Sequence, residues 1–401
     1  MSAAHWRKAM NAGSAARDWA GGRATAGQRS NPPTGTGAGP RSRRATQAAS
    51  RGREDAELAP ADAASIWRGI GARHVIMVLS LLVFPALASP FVTFQIAAQS
   101  FVLGTIALSL TFLAGYGGMV SLAQMSVAGV AGYTVAILGV NGTPEISVNM
   151  PWWGYLPIAL VLAVVASALV GWLSVRTEGI YTIMITLAIG VAFYYLTLQN
   201  YSVFNGFQGL QKVLPPAFFG IDLRAPVPFY FFTLFWALAC YLFVKYLLRA
   251  PFGIALQGIR DNPRRMSSLG FHVTAHRVAA YAVAGLIAGI GGVLLVWYNG
   301  LITPGSIGTS WLINILVIAV LGGMRHPIGP YLGALVFVLL QTFAIDLIDR
   351  ERFNLVIGSV FLAIVLFSPD GLLGLWTRVR SRFAAAGARP VTSTARPQSR
   401  H

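Results

Sequence analysis

Few residues in this chain have the type and spacing for chemistry. His272 and His276 stand four apart, which places two imidazoles on one helical face and suits a metal ion. No thiolate or carboxylate lies close in sequence to complete a ligand set, so the pair reads as solvated loop histidines. The single cysteine, Cys240, sits inside an apolar run and reads as packing. The chain contains no His-Glu-x-x-His, no Gly-x-Ser-x-Gly and no Gly-x-x-x-x-Gly-Lys-Ser/Thr. A zinc hydrolase, a serine hydrolase and a phosphate-loop ATPase therefore lack their motifs here. The richest polar segment is "PFGIALQGIRDNPRRMSSLG", Pro251–Gly270, which carries three arginines and an aspartate between two strongly apolar regions.

Those regions decide the class. Of 401 residues, 55% are hydrophobic and 11% charged, against about a quarter charged in an ordinary soluble domain. The expected fold class is an all-α polytopic membrane protein. A span needs about 20 mostly apolar residues, and ten runs reach or approach that length, near 74–90, 96–114, 119–139, 152–175, 179–200, 228–248, 277–298, 308–324, 328–345 and 352–369. About ten transmembrane helices are expected. The first and the last three are short enough to be candidates for broken or re-entrant helices. Residues 73–376 form the membrane domain in this reading.

The flanks are different material. Residues 1–72 are rich in Ala, Gly, Ser, Pro and Arg and cannot bury enough apolar surface to offset their ordering entropy, so a disordered basic tail is expected. They serve as a spacer, an extension upstream of the true start, or a basic arm touching lipid; no apolar core of a signal peptide occurs in the first thirty residues. Residues 377–401 form a second disordered basic tail. The net charge of +17 lies mostly in the tails and in short loops, which fits the positive-inside bias and anionic lipid better than nucleic acid. With the N-terminus inside, Arg176, Pro251–Gly270, Arg325 and the C-tail share the cytoplasmic side, and Glu145, Asp222, Asp346, Asp349 and Glu351 the other.

In Pro251–Gly270, helical periodicity puts Ile254, Ala255 and Ile259 on one face with Leu256 beside it, and Gln257, Arg260 and Asp261 on the polar side. Pro263 restarts the helix and Gly270 closes it. Two readings remain from the residues alone: an interfacial helix on headgroups, or a docking surface for a cytosolic partner. Small residues in "AGVAGY" (Ala128–Tyr133) and "AGLIAGIGG" (Ala284–Gly292) suit close helix packing. Gly115–Gly118 and Gly322–Gly323 mark spans that could bend around a solute path. Gly117, Gly118, Ser121, Gln124, Thr186, Asn314, Gly322 and Gly323 are the candidate path residues; Gln124, Thr186, Asn314 and Gln341 read first as interhelical hydrogen-bonding groups and second as groups lining a path.

Taken together, five blocks resemble the M-type inner-membrane permease subunits of branched-chain amino-acid ABC importers. "APFGIALQGIRDNPRRMSSLG" resembles their cytoplasmic loop, with Pro251, Phe252, Gly253, Ala255, Leu256, Ile259, Arg260, Asn262, Leu269 and Gly270 matching. "GYGGMVSLAQMSVAGVAGYTVAIL" and "GIYTIMITLA" before it and "VLGGMRHPIGPYLGA" and "LFSPDGLLGL" after it stand in family order, and the likeness covers roughly residues 95 to 375. The resemblance implies a permease that binds no cofactor itself, with ATP and Mg held by two cytosolic ATP-binding subunits, a sister permease subunit and a periplasmic solute-binding protein as partners. Membrane lipid surrounds it and no nucleic acid is involved. It implies that the Pro251–Gly270 loop, with Asp261, Arg264 and Arg265 among its residues, seats in a groove of the ATPase, Phe252, Leu256 and Ile259 filling that groove and Arg260 and Asp261 setting its rim.

Three departures bear on the solute. Ala123-Gln124 stands where the family commonly has Gly-His, Val127-Ala128 where it has Phe-Phe, and "FNGFQGL", Phe204–Leu210, where it has Thr-Gly-Gly-Ser-Asp-Gly-Leu. Relatives carry urea, amides and aromatic acids as well as Leu, Ile and Val. An ion-coupled secondary transporter is the alternative class. It would keep an ionisable residue at mid-span, and the acidic residues here fall at run ends. An ion channel would need a carbonyl filter or a charged ring, and the sequence has neither.

Overall fold

A computed structural model describes residues 88–177, 179–216 and 223–347, with isolated positions between 81 and 85 and between 358 and 374. The described chain is almost wholly helical. Helix α1 (Val92–Tyr116) is regular over Gln99–Thr111 and widens into π-type turns at both ends. It is followed by α2 (Gln124–Leu138), α3 (Trp152–Ser174) and α4 (Ile180–Gln199). After short helical turns come strand β1 (Leu210–Gln211), α5 (Pro226–Arg249), the paired helices α6 (Pro251–Asp261) and α7 (Pro263–Ser268), and α8 (Val273–Asn299). Strand β2 (Leu301–Ile302), α9 (Thr309–Gly322) and α10 (Gly329–Leu347) complete it.

Six helical segments are long and apolar enough to cross a membrane, namely α1, α3, α4, α5, α8 and α9 taken together with the turn that precedes it from Pro304, and α2 and the Gly329–Phe343 part of α10 are shorter apolar helices. The expected spans near 74–90 and 352–369 and both tails lie outside the described residues. Within them, the expected run 119–139 is corrected. Its helix starts only at Gln124, because Gly117–Ala123 forms an irregular break between α1 and α2.

The core follows from small residues. Helix α8 packs against α1, α2 and α3, and its glycines face each in turn. A Cβ on Gly285 would run into Ser167 of α3, one on Gly291 into Ile106 of α1, and one on Gly292 into the Ala128 carbonyl of α2. Side-chain bulk at these positions would separate the backbones, and in lipid backbone approach is what holds helices together. α1 is almost fully enclosed, whereas α3 and α4 keep most of their surface outward. Several hydroxyls inside the helices are satisfied locally: Thr105 donates to the Phe101 carbonyl at 2.8 Å and Thr134 to the Val130 carbonyl at 2.7 Å.

The bundle has two unlike ends. At one, β1 and β2 pair antiparallel, Leu210 opposite Ile302 and Gln211 opposite Leu301. The Gly142 N–H donates to the Gln211 carbonyl at 2.8 Å and the Val213 N–H to the Gly300 carbonyl at 2.9 Å, tying three connections together. At the other end α6, the α1–α2 break and the α9–α10 turn converge.

Candidate functional site

The charged loop is a helix pair. Ala250 is extended and Pro251 opens α6 at its first turn, where a missing N–H costs nothing. Asn262 ends it, and its side chain accepts from the Arg265 N–H at 3.0 Å, capping α7 behind Pro263. Gly270, at φ +92, turns the chain toward α8. α7 folds back on α6: a Cβ on Gly258 would meet the Met266 sulfur at 2.9 Å.

Burial in this helix pair corrects the expected faces. Leu256 and Ile259 are 0% exposed within this chain, Leu256 in a cluster with Phe112, Leu113, Met119, Val244 and Tyr281. They fill the protein's own core, so they are not free to fill a partner's groove. Ala255 and Gly253 are buried with them. Phe252 is half-buried, its ring stacked on His276 at 5.9 Å, and Phe271 meets the same imidazole edge-on at 5.7 Å. The outward apolar residues are instead Ile254 (63% exposed) and Leu269 (65%), with Phe271 beside them in the exposed set. Pro251, Asp261, Asn262, Arg264, Arg265 and Gly270 are also exposed. Ala255, Leu256 and Ile259 lie within about 100° of one another on the helix wheel and turn inward, whereas Ile254 stands about 100° or more from each of them and faces out.

Arg260 has an internal role that its sequence context hides. Its Nη1 donates to the Gly115 carbonyl at the end of α1, 2.6 Å away. Its Nε and Nη2 hold Asp261 at 2.9 and 2.8 Å. Its stem lies over Gly118, where a Cβ would come within 2.6 Å of Arg260 Cγ and where φ is +68. The Tyr116 hydroxyl donates to the Arg325 carbonyl of the α9–α10 turn at 2.9 Å.

Beyond this junction the break carries a buried polar cluster. The Leu122 N–H donates to Thr186 Oγ1 of α4 at 3.1 Å. Gln124 Nε2 reaches Ser121 Oγ at 3.4 Å, and Ser109 of α1 donates to Gln124 Oε1 at 3.2 Å. The Tyr281 hydroxyl of α8 is buried beside Ser121 and Ser174, without a hydrogen bond of good geometry, and the Thr111 hydroxyl is likewise buried. The structure thus brings Gly117, Gly118, Ser121, Gln124 and Thr186 together. Gly322 and Gly323 belong to the adjacent turn, where the Gly322 backbone abuts Gly329 and Gly333 of α10. Asn314 lies half-buried on α9, and among the described residues no side-chain hydrogen bond joins it to the cluster. Sequence reasoning missed Ser109, Thr111 and Tyr281; hydroxyls scattered over three helices carry no spacing signal.

Hydroxyls and an amide in a break between spans can replace the hydration of a small polar solute, and no charged side chain is among them. Charged residues of the described spans stand in terminal turns, as Lys245, Arg249 and Arg277 do. No group of three or more His, Cys, Asp or Glu suited to a metal occurs among the described residues.

Six helical segments long and apolar enough to cross a membrane mark a multi-pass membrane protein. The family model for branched-chain amino acid transport system permease components matches residues 92–365, and the chain belongs to that family. It is similar to the high-affinity branched-chain amino acid transport system permease protein LivM of Escherichia coli, 24% identical over 76% of each chain. The probable branched-chain amino acid transport permease protein LivM of Methanocaldococcus jannaschii is 26% identical over 55% of this chain and 68% of its own. The nucleoside ABC transporter permease protein NupC of Lactococcus lactis is 29% identical over 25% of this chain and 31% of its own. No solved structure matches the chain.

Proposed function

We propose that this chain is the membrane subunit of a binding-protein-dependent ABC importer in the bacterial inner membrane. It provides the path for branched-chain amino acids or a related small polar solute such as urea, an amide or an aromatic acid. Hydrolysis of ATP, with Mg, takes place on two cytosolic subunits, since the sequence has no phosphate loop. A sister permease and a periplasmic solute-binding protein complete the assembly, and both termini lie in the cytoplasm.

The observation that carries this reading is the outward face of the α6–α7 pair. Ile254, Leu269 and Phe271 are exposed on a segment that also carries the exposed Arg264 and Arg265, and exposed apolar side chains accompanied by arginine are what protein interfaces use. Family membership supports the solute class.

The test is co-purification of the chain with its ATP-binding subunits. The double variant Ile254→Ser with Leu269→Ser loses them, whereas Gln211→Ala at the other end of the bundle retains them. Reconstituted complex takes up solute only with ATP. Uptake by the isolated chain on a proton or sodium gradient would overturn the importer reading in favour of a secondary transporter.

A further inference from the structure

Two side chains of α6, Leu256 and Arg260, reach the α1–α2 break and the end of α1 that leads into it. Leu256 of α6 packs toward Gly117, 3.8 Å from where its Cβ would stand. That contact is apolar and slides. The Arg260 contact is directional, with a guanidinium hydrogen bond to the Gly115 carbonyl and the aliphatic stem seated on Gly118. Gly118 has a left-handed φ that L side chains rarely adopt, and a side chain there would displace the arginine. Asp261 holds the rest of the guanidinium in the plane that points at Gly115.

The break is tied back to α1 by one backbone hydrogen bond and across to the polar cluster by another. The Met119 N–H donates back to the Leu113 carbonyl at 3.0 Å, and the Leu122 N–H to Thr186. Any displacement of α6 along its axis must therefore either break the Arg260–Gly115 bond or move the segment that presents Ser121 and Gln124.

We infer that Arg260 is a positioning residue, a strut that makes the α1–α2 break move with α6 and so sets the geometry of the Ser121–Gln124–Thr186 cluster. This rests on the importer reading only for the origin of the force on α6; the strut itself is a property of this chain.

Two measurements separate these. In the first, the purified chain in lipid nanodiscs is followed by hydrogen–deuterium exchange without any partner. Arg260→Ala accelerates exchange of the Met119 and Leu122 amides by about tenfold, the scale of losing one charge-assisted hydrogen bond. Arg260→Lys, which keeps a donor, recovers a good part of the protection. Ile254→Ala, on the outward face of α6, leaves it unchanged. Equal protection in Arg260→Ala and the parent chain overturns the strut.

In the second, the assembled transporter carrying Arg260→Ala keeps its ATP-hydrolysing subunits and hydrolyses ATP, yet solute moved per ATP falls by about tenfold, in line with the exchange result. Loss of those subunits on the same substitution would place Arg260 at the partner surface and defeat the inference. Should the chain prove to transport on an ion gradient, the exchange experiment still decides the strut.

Discussion

The two ends of the bundle are held by different chemistry. The end with the strands is fastened backbone to backbone: β1 to β2, Gly142 to Gln211, Val213 to Gly300. The basic end is fastened through side chains that reach backbone carbonyls, Arg260 to Gly115 and Tyr116 to Arg325, across 145 and 209 residues of sequence. A backbone ladder has no alternative partners nearby and resists shear. A side-chain tether fastens one element to one carbonyl, so movement of either element is passed to the other through that single contact. The strand end is built to stay and the basic end to be moved, which suits a machine driven from one side.

Four sets of substitutions sharpen or break this contrast. The largest effect is expected at Leu256, wholly buried in α6. Leu256→Ala should cost about 2–5 kcal/mol, and adding Ile259→Ala should further lower the thermal midpoint in detergent, measured by tryptophan fluorescence. A near-normal midpoint would mean that α6 docks on its own chain less firmly than its burial implies. Next is Gly209, at φ +66 with the Ile302 carbonyl where a Cβ would go. Gly209→Ala should cost roughly 1–3 kcal/mol through strain and loss of the β1–β2 pairing, visible as a lower midpoint and as faster amide exchange at Leu210 and Gln211.

Smaller still is Tyr116→Phe, which removes the hydroxyl bonded to Arg325 and should cost about 1 kcal/mol. Because that tether belongs to the movable end, amide exchange should rise in the α9–α10 turn and leave Leu210 protected. Equal loosening at both ends would erase the distinction between them. The smallest structural effect is expected from single cysteines at Ser147, Gln208 and Ser267 in a Cys240→Ala background. The three positions lie in connections between the spans, so the introduced thiols alter stability by no more than about 0.5 kcal/mol. A membrane-impermeant thiol reagent applied to intact cells should label the first two and spare the third, which would place the strand end outside and the basic end in the cytoplasm.

The polar cluster at the break shows where sequence reading stops. Gln124, Ser121 and Thr186 were legible as polar residues in apolar runs. Gly117–Gly118 were legible as a bend, because unsatisfied backbone in lipid is tolerated only where protein or a cavity covers it. Ser109, Thr111 and Tyr281 were not, since each is ordinary in its own helix and gains meaning only when α1, α2 and α8 pack. The helix pair α6–α7 was legible down to the restart at Pro263 and the closing Gly270.

What residue order determined by itself was therefore whatever rests on local rules: long apolar runs that must be helical in lipid, prolines that open helices, glycines that permit close approach, and the motif order that places the chain in its family. Tertiary structure alone decided which face of α6 turns inward, because Ile254 and Leu256 have the same hydrophobicity class and only the shape of the α1–α5–α8 surface distinguishes them. It alone also gave Arg260 its anchor: a carbonyl is present at every residue, and which one lies within reach of a guanidinium depends on how two distant segments fold against each other.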